Sequence, residues 1–423
     1  MQGEREERSS WRSRQAINAR RVKEVPLIKP VGTTVFSLRF PLPHLNHNPM
    51  SEPAASEDSF TSKHTSNFPG ILSQLGISLL VSTYQAGKLI VVREQEGKLN
   101  THFRSFMSPM GMAYRPQTGQ LAVGTRHEVW EMRNQRDVAP KLEPKGFHDA
   151  AFLPRHRHYS GDIRIHEIGW VEDEIWAVNT RFSCLCTFDR ENSFVPRWRP
   201  PFITAYAPED RCHLNGMAIV NGRPKYVSLL GECDDAGGWR KNKASGGCVM
   251  DIDSNEVLLR GLSMPHSPRV YANRFWFLES GIGSVSTADL KTGEKQTITQ
   301  LPGFTRGFDF YGNLAFIGLS QVRETAIFSG IPLVEELKER TCGVWVVDIR
   351  NGQTVAFLRF EGAVQEIFSV QVLPGIIHPD IINEPGDTLD HSFVLPDEAF
   401  QEVPEALRNP AKAEPQSAPV AAP

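Results

Sequence analysis

Five polar side chains in this sequence could do chemistry together: His166, Asn215, His266, Arg306 and Glu366. Each opens an apolar run that follows a loop: HEIGW, NGMAI, HSPRV, RGFDF and EIFSV. A sixth start of the same kind, MGMAY, carries Met110 instead. Two chemistries fit these residue types. His166, His266 and Glu366, with Asn215 as a carbonyl-oxygen ligand, could hold a divalent metal, because imidazole and carboxylate suit zinc, iron or manganese. Arg306 with the two histidines could instead hold an anion that Asn215 orients, since a guanidinium offers a two-pronged donor to carboxylate or phosphate. A metal beside Arg306 would be repelled, so the two readings compete.

Whether these residues meet depends on the elements that carry them. The six starts fall 56, 49, 51, 40 and 60 positions apart, which is the spacing of an internal repeat. Behind five of them comes a second strand pattern: QLAVGT, EIWAVNT, KYVSLLG, RFWFLES and NLAFIGL. A third follows (EVWEMRN, CLCTFDREN, CVMDIDSNE, SVSTADLKTGE, VWVVDIRNGQ), and several of these end in hairpin-turn residues before a fourth. Four antiparallel strands per 40 to 60 residues is the period of a β-propeller. Near the N-terminus, ISLLVSTY, KLIVVRE and LNTHFRSF read as second, third and fourth strands without a first, and EIFSVQVL (366–373) is a first strand without followers. The expected fold is therefore all-β, a six-bladed propeller closed by a shared blade, which leaves no open sheet edge at the join. A seven-bladed ring would need a further strand set in 137–161, which is too rich in Pro and His. Innermost strands line a propeller's channel, so the six starts are expected around one axis. Gly111, Gly216 and Gly307 would relieve crowding there. His213 lies before the aligned position and is read as serving the turn.

Loops add further candidates. HDAAFLPRHRHYSGD (148–162) brings His148, Asp149, His156, His158 and Asp162, with Arg155 and Tyr159 able to cap the channel. A Gly-rich loop at 231–247, a candidate lid, sets Glu232, Asp234 and Asp235 beside Trp239 and Arg240. Its acidic residues lack the alternation of a calcium loop. Arg126 with His127, Asn179-Thr180-Arg181 and Arg323 with Glu324 follow second strands, at blade mouths. IPLVEELKER, within 321–342, reads as a short helix inserted into blade six.

The 423 residues, 40% hydrophobic and 22% charged, suit a large globular core. Net charge is −3, so no basic field marks a nucleic-acid binder. No run reaches the length of a membrane span, and the charged N-terminus lacks a secretory apolar region. The six cysteines include no CxxC pair and read as buried thiols in a reducing compartment, hence a cytoplasmic protein. Residues 1–67 read as a disordered N-terminal extension with the natural start at Met50, 68–378 as the propeller, and 379–423 as a C-terminal extension, disordered at its Pro- and Ala-rich end. No nucleophile elbow, phosphate-binding loop or dinucleotide fingerprint occurs.

The stretches FPGILSQLGISLLVSTYQAGKLIVVR, SPMGMAY, HLNGMAI, SMPHSPR and LPGFTRGFDF resemble a family of uncharacterised, conserved hypothetical bacterial proteins, over roughly residues 68 to 378. That resemblance implies a cytosolic propeller-like protein and brings no established activity. A weaker resemblance is to six-bladed lactonases and related hydrolases. Their metal sites place an Asn-Gly on an inner strand, as Asn215-Gly216 stands here, and Glu366 would fill their Glu role. Their inner-strand Asp has no counterpart, because His266 and Arg306 occupy the later blades. The function expected from the residues is binding of a small anionic ligand at the channel mouth, with metal-assisted hydrolysis as its catalytic form. The alternative is a non-catalytic scaffold that binds a protein or peptide.

Overall fold

The computed structural model describes residues 60–322 and 329–405. Each repeat folds into one antiparallel sheet, numbered here as blades one to six. In blade one, Ser369–Pro374 is innermost and pairs with Ile77–Thr83, followed by Lys88–Gln95 and Lys98–Ser105. Blade two runs Met112–Arg115, Gln120–Gly124, Glu128–Asn134 and Ala150–Tyr159; blade three runs Ile165–Val171, Glu174–Asn179, Cys184–Thr187 and Val195–Trp198. Blade four begins with Leu214–Val220, blade five with Pro265–Tyr271 and blade six with Phe304–Tyr311. The protein is a six-bladed β-propeller.

Blades pack face to face, so most strands are buried on both sides and read as continuous apolar runs. Alternating side chains feed opposite interfaces. Ala177 joins the cluster shared with blade two, while its neighbour Val178 joins the cluster shared with blade four. An equivalent cluster joins blades six and one, where Phe316, Val344 and Val346 meet Leu79, Val81 and Val370. Helix Phe68–Leu75 starts with a proline in its first turn, ends at left-handed Gly76, and buries Phe68 and Leu72 in that same cluster.

The turn after the third strand repeats in four blades. Asp189, Asp251, Asp289 and Asp348 each accept a backbone N–H two residues on, at 2.8–3.0 Å. These carboxylates close the turns by capping backbone donors that the ladder leaves free.

Three expectations need correction. The first concerns 148–162, read as a loop beside the channel. Ala150–Tyr159 is instead the fourth strand of blade two, paired with Glu128–Asn134 far from the axis. Pro154 is tolerated because the register shifts between Glu131 and Met132, at a bulge where one ladder bond is lost. The second concerns the range 68–378. Ser62–His64 adds to the outer edge of blade six and Pro379–Ile381 adds in parallel to blade two. Three-residue strands carry no periodic signal. The third concerns 231–247, where Gly238–Asn242 is a 3-10 helix rather than a free lid. Its Trp239 is buried in an apolar cluster with Met264, Phe304 and Leu333. Leu333 belongs to the inserted helix Pro332–Glu336, so the two insertions pack together over one end of the channel. The proposed start at Met50 and the chain end from 406 lie outside the described residues.

Candidate functional site

A chain of interblade latches sets up the channel. Near the inner end of the second strand, a hydroxyl donates to a carbonyl that opens the next blade's inner strand. Ser82 reaches Met110 O at 2.6 Å, Thr180 reaches Leu214 O at 2.5 Å, Ser280 reaches Thr305 O at 2.5 Å and Ser320 reaches Ile367 O at 2.9 Å. In blade four the latch is relayed through an amide. Ser228 Oγ donates to Asn215 Oδ1 at 2.7 Å, and Asn215 Nδ2 donates to Pro265 O of blade five at 2.9 Å. Asn215 is buried with both ends of its amide occupied. It faces the narrow waist of the channel, but its chemistry is spent on holding two blades together.

Crowding at this waist accounts for two glycines. A Cβ on Gly216 would lie 2.3 Å from Pro268 Cδ, and one on Gly307 would lie 2.5 Å from Ser369 Cα. Gly307 also has φ +70, where a side chain would be strained.

His166 and His266 occupy equivalent places in blades three and five, and both are tied to a latch. His166 Nδ1 lies 2.8 Å from Thr180 Oγ1 and 3.2 Å from Arg164 O. His266 Nδ1 lies 2.9 Å from Ser280 Oγ and 3.0 Å from Met264 O. A carbonyl only accepts, and each hydroxyl has already donated its proton across the blade boundary. Nδ1 must therefore carry the hydrogen in both rings, which leaves Nε2 as the lone-pair nitrogen. Burial, helped by His213 and the Arg306 charge, holds both imidazoles well below their usual pKa, so they are neutral at neutral pH.

Both rings line a cavity of about 380 Å³ at one channel mouth, with Tyr84, Trp239, Phe304, Phe368 and Arg306 among its walls. Below it the channel narrows to a space of about 10 Å³ lined by His166, His266, Arg306, Asn215 and Glu167. Arg306 stands at this transition. Its guanidinium lies over the Phe368 ring at 3.9 Å, a cation–π contact. Its Nε is sealed from solvent without a hydrogen-bond partner. Among the described residues no carboxylate pairs with it, and burial pulls its pKa down to about 9.

The rim is charged and paired. Asp210 accepts from His213 Nδ1 at 2.8 Å and meets Arg164 and Arg240 at 3.2 and 3.4 Å. Burial opposes its ionisation, but His213 and the two arginines more than offset this and hold the carboxyl below the usual range. Asp162 is bound by Arg181 at 2.6 Å, with Arg126 at 3.8 Å.

The structure thus brings His166, His266 and Arg306 to one cavity, with Asn215 just beneath. It does not bring Glu366 to the axis. The innermost strand of blade one begins only at Ser369, and the Glu366 carboxylate accepts a short hydrogen bond from the Tyr84 hydroxyl. Burial raises its pKa to about 7. The proposed metal set His166, His266, Glu366 and Asn215 therefore does not converge. Among the described residues, no group of three or more His, Cys, Asp or Glu side chains is arranged to hold a metal ion. The acidic residues of 231–247 are each paired with a cation: Glu232 with Arg260, Asp234 with Arg211 and Asp235 with Lys241. His148 is buried between two carbonyls, and His158 bonds Ser193 O. Arg323 and Glu324 lie outside the described residues. His213, expected only to serve the turn, also reaches the cavity, where its ring packs 4.8 Å from His166 and 4.4 Å from Trp239. The spacing Asp210-x-x-His213 was the available signal. Tyr84 and Phe368 were missed because neither is the first residue of an aligned start.

Residues 66–382 match a family described as a domain of unknown function, DUF4915. The chain belongs to the DUF4915 family. No curated protein matches the chain. Among solved structures, the DUF4915 propeller is similar to a chain from a "Crystal structure of Nidogen/Laminin Complex", at 9% identity and a TM-score of 0.45, covering 71% of this chain and 99% of that one. No helix among the described residues is long and apolar enough to cross a membrane.

Proposed function

We propose that this protein binds a small carboxylate-bearing molecule at the channel mouth formed by His166, His266 and Arg306. One observation carries the reading: the Arg306 guanidinium is held against Phe368 over the channel waist with no counter-ion among the described residues. A largely desolvated charge without a partner is costly, and an anionic ligand would offset that cost. The aromatic walls around it suit the apolar part of such a ligand. The proposal is of binding rather than turnover. Asn215 and Glu366 already serve Ser228, Pro265 and Tyr84, so neither is left to ligate a metal or activate water. A cytoplasmic location remains part of the proposal, supported by six cysteines that are all unpaired.

A screen of carboxylates for thermal stabilisation tests the reading, with Arg306→Met as control. The expected result is at least one acid that raises the melting temperature of the natural protein and leaves the variant unmoved. Equal shifts in both proteins would count against it. The scaffold reading has one observation of its own: Phe393 and Val394 are 80% and 57% exposed in the segment after the last blade strand. Affinity capture with and without Phe393→Ser would test that reading separately.

A further inference from the structure

Three imidazoles face the same cavity, and two of them, His166 and His266, are fixed in the same way. His166 and His266 donate Nδ1–H to a carbonyl and a latch hydroxyl, and His213 donates Nδ1–H to Asp210 Oδ1 at 2.8 Å. No protein group among the described residues bonds to Nε2 of any of the three rings. None of these nitrogens is among the sealed, unpartnered atoms, so each has access to the cavity. The mouth therefore presents Arg306, which has no carboxylate partner among the described residues, beside two lone-pair acceptors, Nε2 of His166 and His266; the rim arginines Arg164 and Arg240 are paired with Asp210.

That combination discriminates between ligands. A bare carboxylate satisfies Arg306 but sets oxygen lone pairs against nitrogen lone pairs. An amine would satisfy the imidazoles but be repelled by Arg306. A hydroxyl brings its own proton and no charge. We infer that the ligand of this site is a hydroxylated carboxylate, with its acid group on Arg306 and its hydroxyls donating to Nε2 of His166 and His266. The inference rests on the carboxylate reading above and adds the ligand's class. Phe304, Phe368 and Trp239 supply apolar faces for the C–H side of such a molecule. Since His166 and His266 accept as they stand, their bonds to the ligand take up no proton.

Matched six-carbon probes test this by titration calorimetry on the full chain at pH 7.5: gluconate, glucuronate, hexanoate and sorbitol. Gluconate or glucuronate should bind at least tenfold tighter than hexanoate, and sorbitol should not bind measurably. The binding heat should agree between HEPES and Tris, whose ionisation enthalpies differ. His266→Phe should keep the hexanoate affinity and lose most of the tenfold advantage. Hexanoate binding as tightly as the hydroxy acids would overturn the inference while leaving the carboxylate reading intact. Uptake of about one proton per ligand would also overturn it, because the imidazoles would then be serving the anion as cations. Failure of every acid to bind, or binding of sorbitol alone, would remove the carboxylate reading and the inference together.

Discussion

His266 Nδ1 lies 2.9 Å from Ser280 Oγ, and the Ser280 proton goes to Thr305 O in the next blade. The same relation joins His166 to Thr180 and Leu214 O. One hydroxyl thus fastens two blades and, together with a neighbouring carbonyl, fixes which nitrogen of a channel histidine faces the cavity.

Ser280→Ala removes both bonds. The variant should lose about 1–3 kcal/mol of stability, since two buried partners lose a neighbour. Chemical denaturation measures the loss, and 15N shifts of the His266 ring should still show Nδ1–H, because Met264 O continues to accept from it at 3.0 Å.

Asn215→Ala should destabilise by about 1–3 kcal/mol, because Ser228 and Pro265 O are left without their relay. Ligand-induced stabilisation, measured relative to each apo protein, should change little. A variant of normal stability with abolished binding would show that Asn215 acts on the ligand rather than on the blades.

Glu366 gives the protein a particular pH response. Its carboxyl titrates near pH 7 in the fold, above its ordinary value, because burial disfavours the charge. The folded state binds the extra proton between about pH 4.5 and 7, so this group's contribution is complete below that window. It is lost as pH rises through it, at no more than about 1.4 kcal/mol per unit of displacement. Glu366→Gln should flatten that part of the melting profile and leave the variant more stable than the natural protein at pH 8. A profile unchanged by the substitution would refute the assignment.

Blade count and strand order were legible because each inner strand starts with a similar loop-to-apolar transition, and because third strands end in repeated turns such as those at Asp251, Asp289 and Asp348. The strand Ala150–Tyr159 was hidden by Pro154, whose bulge breaks the alternation. Within the site, His166, His266 and Arg306 follow from the repeat, since equivalent strand positions must surround one axis. Glu366 misled because its apolar run extends the strand pattern back past Ser369, where the ladder begins. Asn215 was placed at the axis, but a single sequence does not show that its amide is consumed by Ser228 and Pro265 O. His213 was hidden for another reason. Its backbone is left-handed, at φ +50, in the turn before the strand, a conformation read from structure and not from residue type.

Arg306, with no counter-ion among the described residues, is held for an anion. Removing such a charge should help the empty protein, since apolar replacements of poorly compensated buried ions are often stabilising by about 1–4 kcal/mol. The most direct measurement is the melting temperature of Arg306→Met against the natural protein, each with and without a saturating carboxylate. The expected result is an apo variant at least as stable as the natural protein and unresponsive to the acid. An apo variant markedly less stable, or one that the acid still stabilises to the natural extent, would contradict it.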